Sequence, residues 1–139
     1  MKENYWNDFL RLVIEKTNDK EDSFAGDWTK HIRQSWLLQT HYDCVIYGVS
    51  SALSTGWWGI NCKAIEDLKE YKKKFVLVFL TDKDKGYYIY DIDFENYKRD
   101  LSLNKQGEYL IREDYLKTIA NSNFRTIDEF VGRLFRFKN

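Results

Sequence analysis

The chain has no proline in its 139 residues. Proline-rich spacers and polyproline segments are excluded, and its turns must be made by Gly, Asn, Asp and Ser. Cysteine is nearly as scarce. Cys44 and Cys62 form neither a CxxC pair nor the dense spacing of a disulfide-stapled domain, and both read as buried, reduced thiols on strands. The two histidines, His31 and His41, are too few and too far apart to build a zinc site with those cysteines. No apolar run approaches the roughly 20 residues of a membrane span, and the opening MKENYWND has no apolar signal core. The expectation is a cytoplasmic protein with no membrane attachment. Neither charge is in excess, since 22 basic residues face 22 acidic ones. Non-specific coating of nucleic acid, which depends on neutralising many phosphates, is disfavoured, although a local basic face is not.

Aromatic side chains are plentiful at 17%, with five Trp and ten Tyr, enough to serve a core and line a binding surface as well. With 43% hydrophobic and 32% charged residues, the composition is that of a globular chain, and its length suits a single domain over residues 1–139. No repeat or low-complexity segment interrupts it.

Apolar residues at helical spacing predict an amphipathic first helix over 4–17, with Tyr5, Trp6, Phe9, Leu10, Val13 and Ile14 inward. Asp27 is placed to cap a second helix running to about Leu38 that buries Trp28, Ile32 and Trp36. Lys30 and Arg33 lie off that stripe and are candidates for a small basic binding patch. Thr40–Lys63 reads as two strands, Cys44–Tyr47 and Trp57–Cys62, joined as a hairpin by a polar, glycine-bearing connection. A helix after Asn61 or Lys63 then crosses over to Phe75–Leu80, a run without alternation that suits a central strand covered on both faces. That crossover allows the strands ending near Ile60 and starting at Phe75 to be parallel neighbours. Tyr87–Ile92 is its expected hairpin partner, followed by a short helix over 93–101, a brief edge strand over 108–111 and a helix over 112–120. Thr126 and Glu129 form a capping-box pattern at the head of the last helix. The expected class is α+β, a mixed sheet of four to six strands with helices packed on it.

Several chemistries lack their motifs. There is no glycine-rich phosphate loop, no HExxH and no GxSxG. The turn Asp82–Asp84 is too short for a calcium loop, and Lys69, Lys72, Lys73 and Lys74 complement a helix C-terminus. Polar candidates remain at the ends of the two Thr40–Lys63 strands: Asp43, Asn61 and Lys63. A hard carboxylate oxygen can hold Mg²⁺ against a phosphate, and a neighbouring ammonium can orient water or steady developing charge.

Helix, strand with Tyr42-Asp43, strand ending in Asn61-Cys62-Lys63, helix and buried strand together resemble the core of PD-(D/E)XK nucleases over residues 4 to 92. The resemblance implies Mg-dependent cleavage of DNA or RNA, with Asp43 as metal ligand, Asn61 assisting through its carbonyl and Lys63 activating water. Asn61 departs from the usual Glu, Asp or Gln, which fits an inactive core. The structural alternative makes Asn61 a helix cap and Lys63 a solvated side chain. Trp57-Trp58-Gly59-Ile60, Gly86-Tyr87-Tyr88-Ile89 and Gly107-Glu108-Tyr109-Leu110-Ile111 also look like small domains found beside restriction and phage-defence genes. That likeness implies a non-catalytic module binding nucleic acid or a protein through exposed aromatics. Trp57 and Trp58 point to opposite faces of one strand, so at most one lies in the core.

Overall fold

The computed structural model describes residues 5–17, 37–39, 44–49, 56–70, 74–119 and 122–133. Trp6, Phe9 and Val13 recur at three- and four-residue steps, and helix α1 (Tyr5–Thr17) buries the side they form. Its last turn is closed by the Thr17 hydroxyl, which donates to the Val13 carbonyl at 2.9 Å.

Strand β1 (Leu37–Gln39) pairs antiparallel with β2 (Val45–Gly48), and β2 runs parallel to β4 (Phe75–Asp82) with Val45 opposite Phe75. The order continues through β5 (Lys85–Tyr90) to β8 (Asn123–Phe124), giving a five-stranded mixed sheet, β1-β2-β4-β5-β8. Strand β4 is central, as its unbroken apolar run predicts. Phe75, Leu77 and Phe79 face one hydrophobic cluster, while Val76 and Val78 face the other. An alternating strand would have left one face wet; here both are covered.

The Val76–Val78 face packs against α1 and α5 (Ile127–Arg133), with Phe9, Phe124 and Phe130 in mutual ring contact at 5.0–5.9 Å between centroids. The opposite face carries a second sheet and three helices. That sheet has the order β3-β7-β6, built from β3 (Trp57–Asn61), β7 (Glu108–Arg112) and β6 (Ser102–Leu103). Around it, α2 (Cys62–Glu70), α3 (Asp91–Tyr97) and α4 (Glu113–Lys117) contribute Ala64, Ile65, Leu68, Phe94 and Leu116 to the shared core. The α+β class stands, with a five-stranded mixed sheet and a smaller one laid over it.

Several expectations need correction. β2 and β3 do not form a hairpin, because they belong to different sheets. The parallel neighbour of β4 is β2 rather than β3, so the connection between them contains both β3 and α2. The second predicted helix cannot reach Leu38, since Leu37–Gln39 is a strand, and residues 27–36 lie outside the described residues. The segment expected to be an edge strand, β7, is the middle strand of its sheet. Cys62 opens a helix instead of closing a strand and is only half-buried, whereas Cys44 is buried; both are reduced thiols. The capping box forms with one shift. Thr126 Oγ1 accepts from the Glu129 N–H at 3.1 Å, but the Glu129 carboxylate reaches back to the N–H of Arg125, at 2.9 Å.

Candidate functional site

Asn61 is the last residue of β3, and its side-chain oxygen accepts hydrogen bonds from the N–H groups of Lys63 at 2.9 Å and Ala64 at 3.2 Å. These are the second and third amides of α2, so Asn61 is the N-cap of that helix. The carbonyl singled out as a magnesium ligand is thus turned onto helix amides. Lys63 is exposed, and its ammonium forms no ion pair among the described residues. Asp43, the proposed metal ligand, lies outside the described residues, as do Lys30 and Arg33 of the basic patch. Among the described residues, no group of three or more His, Cys, Asp or Glu side chains gathers as a metal site.

The two tryptophans divide as strand alternation requires. Trp58 is 3% exposed and meets Phe79 edge to face, 5.8 Å between ring centroids. It is therefore a core residue and not a binding surface. Trp57 faces the other way and is only half-buried. Its cross-strand partner in β7 is Arg112. The Glu113 N–H donates to the Gly56 carbonyl and the Cys62 N–H to the Gly107 carbonyl. These bonds set the alternation of the ladder, so that Trp57 and Arg112 fall at a non-hydrogen-bonded pair, where opposite side chains stand closest. The Arg112 guanidinium carbon lies 4.9 Å from the Trp57 ring centroid, well within cation–π range.

This outer face of the small sheet continues through Leu110 to Glu108. The Glu108 carboxylate is folded over Gly59 and accepts a hydrogen bond from Asn104 Nδ2 at 3.1 Å. The turn beneath is an Asx arrangement, in which Asn104 Oδ1 accepts from the N–H groups of Gln106 and Glu108. Asp114 stands 3.7 Å from Arg112, whose side chain is more than half exposed. The rim of the face thus mixes cations with carboxylates.

Behind the face, Glu113 accepts a hydrogen bond from the Tyr87 hydroxyl at 2.9 Å. Burial, then this bond and the carboxylate charge, push Tyr87 up to about 12. Tyr47, inside the core, is pushed up to about 12 by burial, with the charge of Glu108 adding to it. Both phenols are neutral at physiological pH.

Arg112, Glu108 and Glu113 were not among the residues singled out from sequence. Arg112 read as the start of a helix, and nothing local announces that Glu108–Arg112 pairs with Trp57–Asn61. The available signal was the alternation of Glu108, Leu110 and Arg112 against Tyr109 and Ile111, which marks a half-exposed strand.

No described helix is long and apolar enough to cross a membrane. In comparisons with known proteins, no family model matches the chain and no curated protein is similar enough to count as a relative.

Proposed function

We propose that this chain is a non-catalytic binding module that engages single-stranded nucleic acid through the outer face of its small sheet, centred on Trp57 and Arg112. The observation carrying this reading is the guanidinium laid over a half-buried indole at 4.9 Å. A flat aromatic and cationic pair on a part-exposed face suits base stacking, which tolerates any base. Lys63, exposed where β3 ends, supplies a second cation. The nearby carboxylates Asp114 and Glu108 fit a short, stacking-dominated contact better than a long phosphate track.

Titration of tryptophan fluorescence with short DNA and RNA single strands tests the reading. A salt-sensitive response lost in Trp57→Ala is expected. Two phosphate contacts predict a slope of log affinity against log salt of about −1.4, at roughly 0.7 per phosphate on single strands. A flat titration at low salt overturns it.

Leu110 on the same face, with Asp114 beside Arg112, favours a second reading in which the ligand is a protein. Trp and Arg are the residue types that dominate protein interfaces energetically. A photo-crosslinker placed at residue 110 would then capture a partner whose yield collapses in Trp57→Ala, and an undiminished yield sinks this reading. The nuclease-like reading, a Mg-dependent restriction- or defence-type activity using Asp43, Asn61 and Lys63, is supported by the run β2, β3, α2, β4, which follows α1 with β1 between, and by the exposed Lys63. Cleavage of DNA or RNA in Mg²⁺ or Mn²⁺, abolished by Asp43→Ala and Lys63→Ala, is its test. No cleavage of any substrate ends it.

A further inference from the structure

We infer that Glu113 and Tyr87 are positioning residues for the Trp57–Arg112 pair, tying the binding face of the small sheet to the main sheet behind it. The inference rests on the proposed function only for what the face binds.

Glu113 is the first residue of α4 and directly follows Arg112. Its backbone N–H donates to the carbonyl of Gly56, the residue before Trp57, at 2.8 Å. Its carboxylate accepts from the Tyr87 hydroxyl at 2.9 Å, and Tyr87 belongs to β5 of the main sheet. One residue therefore holds the strand entry beside Trp57, continues the strand end that carries Arg112, and reaches the other sheet through its side chain. Among the described residues, Tyr87 is the carboxylate's hydrogen-bond partner. Tyr87 itself packs against the core cluster shared by the two sheets, so its hydroxyl is presented from a fixed base. Without the bond, β3 and β7 keep their ladder, but the end of the ladder at Gly56 and Arg112 loses its anchor to β5. A cation–π pair needs its cation held over the ring, so the loss appears first at Trp57.

A second tyrosine–carboxylate bond supplies the control. Tyr115 of α4 donates to Asp100 Oδ2 at 3.1 Å, tying the same helix to the short 3-10 turn Lys98–Asp100 and not to Gly56 or Trp57. If α4 merely needed any tether, the two bonds would be interchangeable.

The indole N–H resonance of Trp57, identified by its loss in Trp57→Phe, reads the position of the ring with no ligand present. Tyr87→Phe and Glu113→Ala are expected to shift and broaden that resonance. They should also weaken oligonucleotide binding about fivefold, equivalent to one hydrogen bond near 1 kcal/mol. Glu113→Gln keeps an acceptor oxygen and is expected to restore the wild-type signal, and Tyr115→Phe should leave it unmoved. A Trp57 resonance unchanged in folded Tyr87→Phe overturns the inference, as does one that moves equally in Tyr115→Phe. Should Glu113→Ala not fold, Tyr87→Phe, which removes only a hydroxyl, carries the test. Absence of oligonucleotide binding would defeat the proposed ligand while leaving the resonance test standing.

Discussion

The indole of Trp6 fills the space in front of Gly48: a Cβ on that glycine would stand 2.5 Å from the ring carbon Cε3. Helix α1 can lie this close to β2 only because residue 48 has no side chain.

Gly48→Ala therefore forces the buried ring or the helix outward, and overpacking of this kind costs about 1–3 kcal/mol. Thermal unfolding should show a midpoint lower by roughly 3–10 °C. Gly132, in α5, has nothing within 4 Å of the same added atom. Gly132→Ala should leave the midpoint unchanged or raise it, by up to about 1 kcal/mol in helix propensity.

The neighbouring tryptophans should separate in a denaturation series. Trp58→Ala empties a core position against Phe79 and is expected to cost about 3–5 kcal/mol. Trp57→Ala removes a half-exposed ring and its cation–π contact, a loss under about 1 kcal/mol. Equal costs would mean that the two faces of β3 are not distinct.

Asn61→Ala removes the cap of α2 and should lower stability by about 1 kcal/mol, with an unchanged denaturant m-value. Asn61→Asp keeps an oxygen facing the same amides and should stay within about 0.5 kcal/mol of wild type. A loss in Asn61→Asp as large as in Asn61→Ala would contradict the capping role.

Tyr47, Tyr87 and Tyr115 are each pushed from 10.0 up to about 12, burial being the largest cause in all three. A raised folded-state value for an acid that is neutral when protonated means that the unfolded chain releases its proton first. The associated stability is complete below pH 10, falls as pH rises between 10 and 12, and is gone above the folded value. Tyrosinate absorbance should show these three phenols ionising late, together with loss of tertiary structure. Titration of all ten tyrosines near pH 10 in a folded protein would refute this.

The β4–β5 centre of the main sheet was legible because its signals are local, whereas β1, read as the end of a helix, β8 and the β2–β4 pairing were not. Phe75–Leu80 shows its double burial by lacking alternation, the turn Thr81–Gly86 joins it to an obvious neighbour, and Thr126 announces α5 through a pattern four residues long. The small sheet was not legible, because β3 finds its partner across α2, β4, β5, α3, the 3-10 turn Lys98–Asp100 and β6. With that pairing hidden, Trp57–Cys62 looked like half of a hairpin with Cys44–Tyr47, and Asn61 and Lys63 looked like neighbours of Asp43 on a paired strand. The alternation that sends one tryptophan inward and one outward follows from strand geometry alone. Which of them meets the core, and that Arg112 covers the other, depends on what stands opposite.

Strand β3 precedes β4 along the chain but is completed only by β7, so its ladder closes a long loop and carries the entropic cost of that closure. No nascent chain or proteolytic fragment that stops short of Arg112 can display the Trp57–Arg112 surface. Under the proposed function, ligand capture therefore requires a chain that extends at least through Arg112 and has closed the β3–β7 ladder.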